Sequence, residues 1–113
     1  MKKLLIPLYG NDIAPRFDLA TEVIIITEKQ EHQYEQEKIV VMPQSSADQL
    51  CHLVLTENIN TVICGGIEEE YYQYLTWKRV KVLDSVAGSW KKALDYFTKG
   101  MLESGSIVYD SEI

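Results

Sequence analysis

Soft metal donors are scarce in this chain: its 113 residues hold two cysteines and two histidines. Cys51 and Cys64 make no zinc spacing with His32 or His52, and a single pair of thiols would staple a domain of this size only weakly. Free thiols in a reducing cytoplasm are the expected state. Positive charge is also short, with 11 basic against 17 acidic side chains and a formal charge of −6. The basic groups Lys2-Lys3, Lys78-Arg79-Lys81 and Lys91-Lys92 are brief. A phosphate backbone would be repelled, so nucleic acid is not an expected partner. No apolar run nears the roughly 20 residues of a membrane span. Met1-Lys2-Lys3 before Leu4-Leu5-Ile6-Pro7-Leu8 mimics a signal peptide, but the run ends at Tyr9-Gly10-Asn11-Asp12 with no small-residue cleavage site, and it reads as a buried first strand.

Catalytic and phosphate signatures are missing too. There is no G-x-S-x-G elbow, no Walker lysine pattern and no complete G-x-G-x-x-G. A two-metal nuclease needs clustered carboxylates, and neither Leu4-Leu5-Ile6-Pro7-Leu8 nor Thr61-Val62-Ile63-Cys64 offers one. No enzyme activity is expected.

What the chain does contain is apolar content of 46%, ordinary for a globular protein and enough for one core. Residues 1–102 read as a single domain, and residues 103–113 as a loosely held tail with Ile107-Val108-Tyr109 as an apolar island. Residues 3–9 are apolar without alternation, as in a strand covered on both faces. Residues 21–27 are β-branched, and residues 32–42 return as a charge-protected edge through Glu35, Gln36, Glu37 and Lys38. Ser46 and Gln49 stand at capping-box spacing before a helix with Ala47, Leu50, Cys51 and Val54 on one face. Residues 61–64 form a short apolar strand, and Gly65-Gly66 is expected to open a helix whose Ile67, Tyr71, Tyr74 and Leu75 share a face. After a strand at residues 80–83, a last helix carries Trp90, Ala93, Leu94 and Phe97, with Gly100 as its stop. Two β-α-β crossovers make strands one, four and five parallel. The expected fold is α/β: a mixed five-stranded sheet in the order 3-2-1-4-5, strand 2 antiparallel, with helices on both faces.

Binding chemistry on such a scaffold gathers at strand ends and their loops. Arg16 offers a forked donor to an anion or pairs with Asp12 or Asp18. Phe17 is a core plug or a stacking platform, and Asn11-Asp12 is a turn former whose side chains bond the backbone. Gly65-Gly66 at a helix N-terminus would cradle an anion, unless the carboxylates of Glu68-Glu69-Glu70 already satisfy the dipole and the glycines serve only a tight turn. Cys64 at the end of a central strand would suit iron or copper(I), or is an inert small hydrophobe, as is expected for Cys51.

Four segments resemble the dinitrogenase iron-molybdenum cofactor biosynthesis family, the NifX-like and NafY-like domains also found at the C-terminus of NifB. They are Ala14-Pro15-Arg16-Phe17-Asp18-Leu19-Ala20, Val62-Ile63-Cys64-Gly65-Gly66-Ile67, Val80-Lys81-Val82, and Ala93-Leu94-Asp95-Tyr96-Phe97-Thr98-Lys99-Gly100-Met101-Leu102. The resemblance implies an RNase H-like three-layer fold. It also implies a non-enzymatic domain that holds an iron-molybdenum or iron-sulphur cluster precursor, or shields it on the way to a donor or acceptor protein, as a monomer or weak dimer. The expected binding set is Asn11, Asp12, Arg16, Phe17, Asp18, Cys64, Gly65 and Gly66, with Cys64 as the metal contact and the start of the last helix closing the pocket. The family's loop often reads His-Phe-Gly, the histidine being the cluster contact; here the triplet is Arg16-Phe17-Asp18. Weak or no cluster uptake is therefore expected, with room for a smaller anion at Arg16. The alternative is a metal-free interaction or regulatory module of the same fold, binding a protein segment or an anionic metabolite.

Overall fold

A computed structural model describes residues 2–31 and 33–108. The start of the return strand at His32, and Tyr109 with the rest of the tail, lie outside the described residues. Strand β1 (Lys3–Tyr9) runs through the middle of the sheet, and a short β2 (Asp12–Ile13) folds straight back on it. The reversal needs Gly10 at φ +64, a left-handed conformation that glycine adopts at no steric cost. A 3-10 turn at Phe17–Leu19 leads into β3 (Glu22–Gln30), which pairs antiparallel with β1 and with β4 (Gln33–Val41).

Helix α1 (Ala47–Thr56) starts at Ser46, whose Oγ accepts from the Gln49 N–H at 3.2 Å. It crosses to β5 (Thr61–Ile63), parallel to β1, and helix α2 (Glu69–Trp77) crosses to β6 (Lys81–Leu83), parallel to β5. A short β7 (Ala87–Gly88) precedes helix α3 (Trp90–Thr98), and β8 (Ile107–Val108) returns to pair parallel with β7. The main sheet runs β4-β3-β1-β5-β6. The described residues thus form a mixed α/β fold with a mixed sheet and three helices.

Alternation along the strands sorts the core into two halves. Leu5, Val23, Ile25, Val62 and Val82 pack under α1 and α2 with Leu50, Val54 and Leu75. Leu4, Ile6, Leu8, Ile24, Ile26, Ile63 and Leu83 pack against Ala93 of α3, with Val86, Leu102 and Val108. Both faces of β1 are covered, which is why its sequence shows no polar alternation.

Three expectations change. Gly65-Gly66 does not open a helix: α2 begins at Glu69 with Glu68 as its N-cap, and the glycines lie in the extended link before it. The apolar stripe of α3 is only half sunk, with Ala93 fully buried while Trp90, Leu94 and Phe97 are partly covered. The segment expected to be loose is docked as far as it is described, with Val108 only 2% exposed and Glu103 N–H bonded to Ser106 Oγ at 3.0 Å.

Candidate functional site

The C-terminal ends of parallel β1, β5 and β6 open into loops that are stitched together by backbone. Gly66 N–H donates to Pro15 O at 2.7 Å, and Phe17 N–H donates to Gly66 O at 2.8 Å. This parallel bridge between Arg16 and Gly66 ties the first loop to the second. Ser85 N–H donates to Gly65 O at 2.8 Å, and Val86 N–H to Cys64 O at 3.0 Å, tying in the third. Trp90 N–H donates to Asn11 O at 3.2 Å, so the start of α3 rests on the turn after β1.

The pair of glycines is explained by this stitching. Neither has a positive φ. A Cβ on Gly65 would lie 2.5 Å from the carbonyl oxygens of both Ala14 and Pro15, whereas one on Gly66 would meet Pro15 O at 3.4 Å. Gly65 is required because two backbones approach too closely for any side chain. Its role is packing between loops, and α2 starts only at Glu69, so the glycines are not its first turn.

Between the three loops lies a cleft of about 470 Å³, lined by Tyr9, Asp12, Ile13, Pro15, Gly65, Gly66 and the run Ser85-Val86-Ala87-Gly88. Of the expected binding set, Asp12, Gly65 and Gly66 line it. Arg16 faces a neighbouring groove of about 350 Å³ with Leu8, Tyr9, Ala14, Pro15, Leu19 and Ala20. Its guanidinium is held by Asp18, Nε to Oδ1 at 3.0 Å and Nη2 to Oδ2 at 2.7 Å. Of the sequence alternatives, the pairing with Asp18 is the one formed. Phe17 is 1% exposed and fills the core beside Tyr71, their ring centroids 6.5 Å apart. Asn11 is exposed at the turn.

Cys64 is sealed at 0% exposure. Burial, and after it the Asp84 carboxylate, push its thiol up to about 12. Cys51, also buried, is pushed up to about 11 by burial and then Asp48. Thiolate is the form that ligates metal, and burial disfavours it at both cysteines. Among the described residues no three His, Cys, Asp or Glu side chains converge in a way that could hold a metal ion. An iron-sulphur cluster normally takes several thiolates, so the residues present do not fit one. The expected access to Cys64 is corrected: the strand end places its side chain under the sheet rather than at the cleft.

The wall formed by Ser85 to Gly88 was not expected as part of the site. Two signals for it stand in the sequence: it follows a parallel strand, and Asp84, Ser85 and Gly88 are turn formers. Ser85 at φ +57 and Gly88 at φ +116 make the reversal.

Solved structures share this architecture. The protein PH0822 superposes with a TM-score of 0.81 at 15% identity, over 90% of this chain and 93% of that one. A Methanocaldococcus jannaschii protein, MJ0327, described as a candidate dinitrogenase, gives 0.68 at 20% identity over 89% and 91%. A Thermotoga protein, TM1290, described as a candidate NifB protein of the DUF35 family, gives 0.69 at 18% identity over 98% and 100%. The chain shares their fold. No family model matches the sequence, and no curated protein matches it either. At these identities the likeness is one of fold, so function in this chain has to be argued from its site. Among the described residues no helix is long and apolar enough to cross a membrane.

Proposed function

We propose that this chain is a non-enzymatic, metal-free binding module of the NifX/NifB-like, RNase H-like type, acting in the cytoplasm, with its ligand in the cleft between residues 12–15, 65–66 and 85–88. One observation carries this reading: the cleft lining contains apolar side chains, backbone, the hydroxyl-bearing Tyr9 and Ser85 and the acid Asp12, with no cation and no soft donor. Of the ligand classes considered, an anionic metabolite is disfavoured by Asp12, and a cluster lacks thiolate or imidazole partners. A protein segment, held by apolar contact and backbone hydrogen bonds, suits the lining best. The cluster-carrier role of the NifX-like proteins is then reduced in this chain to a partner-binding role on the same scaffold.

Anaerobic reconstitution with iron and sulphide, followed by absorbance and iron analysis, tests the metal-free part. The expected result is no stoichiometric iron retained after desalting; tight, stoichiometric uptake restores the carrier reading. Ala87 is exposed at the cleft wall, so Ala87→Arg should block the cleft without disturbing the core. A protein captured from the source cell by the wild-type chain should be lost with Ala87→Arg, and equal capture by both would move the site elsewhere.

A further inference from the structure

The wall at residues 85–88 is held from two sides. The body of the domain holds it by two backbone bonds, Ser85 N–H to Gly65 O and Val86 N–H to Cys64 O, and by the buried Val86 side chain. On its other side runs the C-terminal segment. Asp84 N–H donates to Ser104 Oγ at 3.2 Å, and Gly105 N–H donates to Asp84 O at 2.9 Å. Ala87 N–H donates to Ser106 O at 3.0 Å, and Ser89 N–H to Val108 O at 3.2 Å. Every contact in that set joins residues 84–89 to residues 104–108. The segment itself is anchored in the core by Leu102 and Val108, 9% and 2% exposed.

Gly88 is where this segment, here called the strap, presses against the wall. A Cβ there would fall 1.4 Å from Val108 O, and its φ of +116 already excludes an ordinary side chain. Gly88 also lines the cleft. The same residue therefore meets the ligand space on one side and the strap on the other.

We propose that residues 104–108 form a strap that positions the cleft wall, with Gly88 as the point of close contact, so that cleft shape and strap docking are thermodynamically coupled. Releasing the strap frees the wall, and whatever stabilises the wall tightens the strap by the same amount, as linkage requires. The consequence for a ligand rests on the cleft reading above; the coupling of strap to wall does not.

Amide exchange by NMR tests the coupling without a ligand. Ser85 and Val86 donate to the body of the domain and not to the strap, so their amides report the wall rather than direct bond loss. In Gly88→Ala, and separately in Val108→Asp, which puts a charge into a buried site, Ser85 and Val86 should exchange at least about tenfold faster. The amides of Leu5 and Ile25, in the middle of the sheet, should keep their wild-type rates. Faster exchange confined to Ala87 and Ser89 would overturn the proposal, because the wall would then stand without the strap. Equal acceleration at Leu5 and Ile25 in both variants would also overturn it, making the segment part of the global core. If iron uptake or Ala87→Arg refutes the cleft reading while Ser85 and Val86 still respond, the strap stands and only its use by a ligand falls.

Discussion

Gly65 and Cys64 are neighbours whose roles are set by what surrounds them rather than by what they can react with. With both Ala14 O and Pro15 O at 2.5 Å from an added Cβ, Gly65→Ala has to push two backbone segments apart. It should cost about 1–3 kcal/mol, the range for overpacking, seen as a lower urea midpoint; an unchanged midpoint would deny the close approach. Arg16 and Asp18 form an exposed pair, their side chains 58% and 23% accessible. Arg16→Ala should therefore shift stability by less than about 1 kcal/mol. The thiols give a pH signature. Their ordinary value is 9.0, and in the fold Cys64 lies at about 12 and Cys51 at about 11. The folded chain holds these protons after the unfolded chain has released them. Their contribution is therefore full below pH 9 and lost as pH rises from 9 toward 12. Cys64→Ala should flatten the alkaline fall by one proton, about 1.4 kcal/mol per pH unit, in urea midpoints measured from pH 9 upward. At neutral pH a thiol reagent should label both cysteines slowly in the native chain and quickly in urea. Rapid native labelling of Cys64 would contradict its burial.

The helices differ in how far they sink, and the difference can be measured. Leu75 of α2 is 0% exposed, so Leu75→Ala should cost about 2–5 kcal/mol. Leu94 of α3 is only half-buried, and Leu94→Ala should stay below about 2 kcal/mol. Denaturation midpoints that reversed this order would place α3, not α2, at the deeper position. Much of this level was legible. Ser46 and Gln49 marked the start of α1, and Gly100, at φ +71, marks the end of α3. The periodicity of Ala47, Leu50, Cys51 and Val54 named the buried face of α1. What periodicity could not weigh was depth, because α3 covers one face alone whereas α1 and α2 share the other. Two-residue strands such as β2, β7 and β8 carry no period and were missed for that reason.

At the level of the whole molecule, exposed apolar side chains form small groups: Tyr9 with Leu19 along one groove, Ile39 with Val41 on β4, and Tyr74 with Trp77, ring centroids 6.4 Å apart, on α2. Tyr9 stands at the end of β1, Val41 at the end of β4, Trp77 at the end of α2 and Ile107 on β8. Small exposed apolar groups are normal for a monomer. Light scattering at low micromolar concentration should give the 13.0 kDa of one chain, and a stable dimer would point to an interface built from one of these ends. The α/β class, the central apolar strand and the parallel crossovers followed from the order of apolar runs and stop signals, since each strand's burial is written in its own side chains. The site was decided elsewhere. Arg16, Phe17, Asp12 and Cys64 are close in sequence or in strand position, yet the fold sends them to a groove, the core, the cleft and the core again. Side-chain direction at a strand end depends on the partner loop that pins it, here the bridge from Pro15 to Gly66 and the wall at residues 85–88. Local sequence determined which segments would be strands, helices and turns; only the tertiary structure decided which loop faces met, because that depends on contacts between residues far apart in the chain.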